Sequence, residues 1–208
     1  MDEMDHQPAT APTSAEIDKV SQNGDVVFEA GEPGQQRRIL VSSAILTMAS
    51  TAFAALLGPH FREGQQLGTS QSPVTIPLPE DDPDAMLDLF RLLHLVAVPS
   101  LLAADDSKRM QSFAVAADKW CCIDALRLQA QGMLLAAVGQ LGTDVTPLGL
   151  HMAQLATTAY LFNHQQCFAG LVKRMVLGVA GSYLDIWRQI DEQTLPAQFY
   201  CKKAIATA

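Results

Sequence analysis

The sequence predicts an α+β fold in which a small β-sheet is covered by a cluster of short helices and followed by a helical C-terminal extension. Three observations predict it. Two β-prone runs, Val26-Val27-Phe28 and Ile39-Leu40-Val41, flank the turn-forming string Gly31-Glu32-Pro33-Gly34 and read as a hairpin. A third short run alternates Val74, Ile76 and Leu78 with Thr75 and Pro77, the period of a half-buried strand. After Asp82 the periodicity is helical, and strands followed by helices alone are the order of an α+β domain.

Residues 1–24 are rich in Pro, Ala, Thr, Ser, Asp and Gln, with Ile17 and Val20 as late aliphatic anchors, and are expected to form a disordered N-terminal tail. Residues 25–122 form the predicted domain and 123–208 the helical extension. Within the domain, Ser42-Ser43 offers a helix cap before Ala44, Ile45, Leu46 and Met48. Ser50 offers a second cap before Phe53, Leu56 and Leu57, and Gly58-Pro59 is a stop signal. The polar stretch from Glu63 to Ser72 reads as a loop. The prolines around Val74–Leu78 place that strand on a sheet edge. Asp82-Pro83 supplies an N-cap and a first-turn proline to a helix carrying Met86, Phe90, Leu93 and Ala97, which should end before Pro99. A helix from Ser107 carries Met110, Phe113, Ala114, Ala117 and Trp120, and one from Ile123 carries Leu126, Leu128, Met133, Leu134 and Val138. Thr146-Pro147 caps a segment with Leu148, Met152, Leu155, Ala159 and Phe162, and residues 165–179 supply one more amphipathic helix.

Composition narrows the function classes. The 208 residues are 49% hydrophobic and 17% charged with a formal net charge of −8, so phosphate backbones and anionic membranes are repelled and no direct nucleic-acid or membrane partner is expected. The basic pairs Arg37/Arg38, Lys173/Arg174 and Lys202/Lys203 read as solvated surface. No apolar window of membrane-spanning length occurs and the first residues are acidic, so an intracellular location, in cytoplasm or nucleus, is expected. Cys121, Cys122, Cys167 and Cys201 form no CxxC pair and read as reduced thiols, with Cys121 and Cys122 buried and structural.

No catalytic or cofactor machinery is visible. His6, His60, His94, His151 and His164 lie far apart, and none has a Cys, His or carboxylate three or four residues on in a known ligand pattern, so no metal is expected. His94 reads as a partly buried, hydrogen-bonded histidine. The run Glu80-Asp81-Asp82-Pro83-Asp84 lacks the spacing of a calcium loop and is explained by its place at a helix N-terminus. Gly58, Gly64 and Gly68 do not form a phosphate loop.

Three blocks, taken in order, resemble the BTB/POZ family, in particular the short BTB proteins of fungi. The first joins Asp25-Val26-Val27-Phe28, Ile39-Leu40-Val41-Ser42-Ser43-Ala44-Ile45-Leu46 and Ser50-Thr51-Ala52-Phe53. The second is Leu57-Gly58-Pro59-His60-Phe61-Arg62-Glu63-Gly64 with Val74–Leu78 and Pro79 to Met86 following. The third is Ala117-Asp118-Lys119-Trp120-Cys121-Cys122, similar to the family's Ala-Asp-Lys-aromatic helix. Ser42-Ser43 stands where the family often has His-Lys. The resemblance implies a non-enzymatic protein-interaction adaptor or scaffold, and in sharper form a substrate adaptor for a cullin ubiquitin ligase. Family adaptors use a hydrophobic-x-Glu motif before the third strand, which Phe61, Arg62 and Glu63 match; these are the candidate partner-binding residues. A transcription-associated scaffold acting through a DNA-binding partner is the alternative. Members that dimerise by strand exchange carry a long N-terminal helix and strand that residues 1–24 scarcely supply, so a homodimer is the weakest of these expectations.

Overall fold

The structure, a computed structural model, describes residues 16–67, 72–102, 106–141 and 149–178. Strands β1 (Ile17–Lys19), β2 (Val26–Ala30), β3 (Arg37–Val41) and β4 (Val74–Leu78) form one sheet in the order β1-β3-β2-β4. The expected hairpin is present: β2 and β3 pair antiparallel from Val26↔Val41 to Ala30↔Arg37. Its turn bends through Gly31 and Gly34, both at positive φ (103° and 93°), where a side chain is strained. At Gly31 a Cβ would also come within 2.7 Å of the Pro83 ring. The β4 strand runs parallel to β2 on the outer edge, with Val74, Ile76 and Leu78 buried and Thr75 and Pro77 exposed, as the alternation predicts. On an edge strand the missing N–H of Pro77 can face away from the ladder.

One expectation is corrected here. Ile17–Lys19, assigned by composition to a disordered tail, is a strand parallel to β3, in register from Ile17↔Arg38 to Lys19↔Leu40. Both Val20 N–H and Ser21 N–H donate to the Leu40 carbonyl at 3.0 and 3.1 Å. Composition judges a segment by the apolar area it can bury, whereas an open sheet edge offers backbone partners to almost any sequence. Asp18 adds ion pairs to Arg37 (3.4 Å) and Arg91 (3.9 Å). Residues 1–15 lie outside the described residues.

Two short helices follow the hairpin, α1 (Ser43–Ala49) and α2 (Thr51–Leu56). Ser50 caps α2 by accepting the Phe53 N–H at 3.0 Å. The expected cap of α1 is supplied differently, because the Ser42 side chain makes no cap bond. Asp25 instead accepts the Ser43 N–H (2.7 Å) and hydroxyl (2.5 Å). The stretch read as a loop from Glu63 begins with a helical segment, α3 (Arg62–Leu67). Its polarity suited a loop, yet Leu67 packs on the core and the segment lies against β4.

Asp82 caps α4 (Pro83–Leu93) through two 2.9 Å bonds from the Asp84 and Ala85 N–H groups. The helix stops earlier than Pro99 requires, with Leu95 at φ 61°, so Ala97 lies beyond it and is exposed. A 3₁₀ turn at Pro99–Leu102 leads to α5 (Ser107–Lys119), then α6 (Ile123–Gln140), α7 (Gly149–Leu161) and α8 (Gln165–Gly178). Leu128, read as a core position of α6, is 80% exposed. The Thr146-Pro147 cap and the basic pair Lys202/Lys203 lie outside the described residues.

A single hydrophobic core runs from Val26 to Met175, so helices of the 123–208 extension share it with the 25–122 domain. At its centre Phe28, Phe53 and Phe90 lie with ring centroids 5.1–5.7 Å apart, and Trp120 stacks on Phe53 at 4.5 Å with an interplanar angle of 1°. Helix α7 is sandwiched between α5 and α8 and buried from Met152 through Ala159. Its buried Thr157 and Thr158 hydroxyls bond the carbonyls of Ala153 and Gln154 one turn back, which satisfies them. Ser107 of α5 reaches across to Gln154 at 2.6 Å. Among the described residues no helix is long and apolar enough to cross a membrane.

Candidate partner-binding site

Phe61, Arg62 and Glu63 are placed by the end of α2. The chain turns at Gly58-Pro59, the Phe61 N–H donates to the Gly58 carbonyl at 3.3 Å, and the Phe61 carbonyl then accepts the Gln65 N–H at 3.1 Å, opening α3. Gln65 also bonds the Pro59 carbonyl through its side chain at 3.1 Å. The three residues are thus held together at the turn from α2 into α3. Phe61 is 49% exposed and stands outside the core, Arg62 is exposed and Glu63 is half-buried. An aromatic ring left half in water by a folded chain is what an interface anchor requires before its complex forms.

Gly64 explains why α3 can sit where it does. A Cβ at Gly64 would fall 1.9 Å from the Gly58 carbonyl oxygen and 2.5 Å from that of Leu57, both backbone atoms that cannot swing away. Gly64→Ala is therefore expected to destabilise the fold by about 1–3 kcal/mol through overpacking, although alanine alone would favour a helix by about 1 kcal/mol. Urea titration checks the sign: a stabilised variant would place α3 away from α2.

The third block has a structural role that its sequence did not disclose. Trp120 at the end of α5 donates its indole N–H to Asp81 (3.1 Å), and its carbonyl accepts the Ser50 hydroxyl (2.5 Å). Lys119 pairs with Asp81 at 3.0 Å and lies 5.8 Å from the Trp120 ring centroid. Asp81, read as one carboxylate of a helix N-terminus, is buried and joins α5 to the start of α4. Asp82 is the cap and Asp84 meets Arg37 at 2.6 Å, so the three aspartates of the acidic run have separate tasks. Arg37 and Arg38 are likewise partnered, Arg38 with Glu29 at 3.1 Å across the hairpin.

The buried thiols, Cys122 and Cys167, are unsuited to nucleophilic work. Cys122 is fully buried, its thiol is pushed up to about 12 by burial, and its S–H donates to the Trp120 carbonyl at 3.2 Å. Cys121 corrects the expectation of a buried pair: it occupies a left-handed turn (φ 52°) and is exposed. Among the described residues His164 and Cys167, three apart at the start of α8, approach each other in a way that sequence reasoning passed over, and the spacing itself was the available signal. The His164 Nδ1 accepts the Cys167 N–H at 3.2 Å, so the neutral ring carries its proton on Nε2, the atom 4.0 Å from Cys167 Sγ. A nitrogen already protonated cannot take the thiol proton, and burial raises the Cys167 pKa further from the thiolate. A cleft of about 270 Å³ beside it is lined by Arg127, Gln131 and residues 162–166, without Cys167. Among the described residues no group of three His, Cys, Asp or Glu side chains is placed to hold a metal ion.

No protein-family model matches the chain, and no curated protein matches it.

Proposed function

We propose that the chain is a BTB/POZ-type protein-interaction module, and that it offers Phe61 with the first turn of α3 to a protein partner, a cullin scaffold being the partner the hydrophobic-x-Glu motif fits. The observation that carries the reading is the half-exposed Phe61 ring, held by local backbone bonds at the end of α2 yet outside the core. The family reading is supported by where the three blocks meet. Trp120 from the third bonds both Ser50 from the first and Asp81 from the second, although up to 70 residues separate them in sequence. An adaptor role accords with a surface that keeps large apolar side chains such as Phe61 and Met48 in water.

Calorimetric titration of the full chain with a cullin N-terminal domain tests this. Phe61→Ala is expected to weaken the complex by about 2 kcal/mol, roughly thirtyfold in Kd, while leaving Tm nearly unchanged. Glu63→Lys should act mainly on the association rate and its salt dependence. Unchanged affinity in Phe61→Ala would remove the anchor role, and no binding by the wild-type chain would remove the cullin.

A further inference from the structure

His94 ends α4, and both of its ring nitrogens are committed to different parts of the fold. Its Nδ1 lies 2.8 Å from the Phe90 carbonyl one turn back, which can only accept, so Nδ1 carries a proton. Its Nε2 accepts the backbone N–H of Ser42 at 3.0 Å, at the junction where β3 gives way to α1. This second bond needs the Nε2 lone pair and exists only while the ring is neutral. It ties the start of α1 to the end of α4 across 52 positions of sequence. The junction is otherwise held by Asp25, which grips the next residue, Ser43, by N–H and hydroxyl.

From this geometry we infer that His94 is a proton-operated latch between α1 and α4: a proton taken from solvent onto Nε2 occupies the lone pair, the Ser42 N–H loses its acceptor, and the first turn of α1 is released from α4.

The charged groups of β1 and of the hairpin's start are paired, engaged or exposed. On the β1 side Asp18 pairs with Arg37 and Arg91, the latter on α4 itself, and Lys19 is exposed. On the β2 side Asp25 is engaged with Ser43. Burial of the half-enclosed ring lowers its pKa from the ordinary 6.5, only partly offset by the bond to Phe90. The sign of the linkage follows. Between 6.5 and the lower folded value the unfolded chain binds a proton that the folded chain does not. The latch's contribution to stability is thus complete above about 6.5 and is lost as pH falls through the folded value.

The experiment is nitrogen-15 NMR of the full chain from pH 7.5 to 5, following the His94 ring and the exchange protection factor of the Ser42 amide. At pH 7.5 the ring should be the Nδ1–H tautomer with Ser42 protected. Protonation should occur below the range of a free imidazole, and Ser42 should lose most of its protection in step with it, while Val27 and Phe28 in the sheet keep theirs. An Nε2–H tautomer at pH 7.5, or Ser42 protection that persists once the ring is charged, would overturn the latch. In His94→Gln, whose amide can accept from Ser42 at any pH in this range, Ser42 protection should be independent of pH. A pH-dependent loss in that variant would place the switch elsewhere, and the wild-type ring and amide decide the matter by themselves should the variant not fold.

Discussion

Phe53→Ala is expected to cost about 3–5 kcal/mol, the range of large aromatic truncations in a packed core, and to lower Tm by roughly 10 °C. Phe53 has no exposed surface and is the one ring that touches the other three members of the aromatic cluster, Phe28 at 5.7 Å, Phe90 at 5.7 Å and Trp120 at 4.5 Å. These rings come from β2, α2, α4 and the end of α5, so the cavity left by the alanine would open where sheet and helices meet. Its neighbours cannot close it cheaply, because Trp120 is held by Asp81 and Ser50. Urea unfolding followed by circular dichroism measures the loss. A near-neutral result would mean that the α1–α2 pair does not pack on the sheet as described, and the family reading would fall with it.

The second large effect is expected at Asp88. It is completely buried in α4 and receives two bonds from the Arg109 guanidinium of α5, Nε at 2.6 Å and Nη2 at 2.9 Å. The bond to Asp88 is also the main reason the Arg109 pKa is raised. Removing one partner of a buried pair strands the other, which typically costs 3–5 kcal/mol. Arg109 keeps 28% side-chain exposure and can turn its charge toward water, which sets the expected loss for Asp88→Ala at about 3 kcal/mol, the lower end of that range. The control is the double replacement by leucines, Asp88→Leu with Arg109→Leu, which should cost much less than Asp88→Ala because no charge is stranded. A double variant as unstable as the single one would show that the side chains act by shape and not by charge.

The candidate site was legible in part. Phe61, Arg62 and Glu63 were singled out by a motif, but neither the exposure of Phe61 nor the helical turn that begins at Arg62 follows from it. That turn depends on Gly64 fitting against the Gly58 carbonyl, a close approach between chain segments that a local reading of polar residues cannot contain. His94 was read as a partly buried, hydrogen-bonded histidine, which it is; its partner Ser42 lies 52 positions away and belongs to a different element. Cys121 and Cys122 look alike in sequence and part company only because the left-handed turn at Cys121 sends adjacent side chains to water and to the core.

By itself the sequence determined the elements whose causes are local. The hairpin follows from two β-prone runs around Gly31 and Gly34, the alternation of Val74 to Leu78 marks a strand and its prolines an edge, and Ser50 and Asp82 cap the helices they precede, because strand period, turn chemistry and capping act within a few residues. What the tertiary structure alone decided is of longer range. It recruited Ile17–Lys19 to the sheet by backbone bonds that any side chains would permit, and it buried Asp81 and Asp88 beside Trp120 and Arg109. It also drew α7 into the same core as the hairpin. In each case the partner is 20 or more positions distant, and the free energy comes from desolvation and pairing that exist only once the layers have closed.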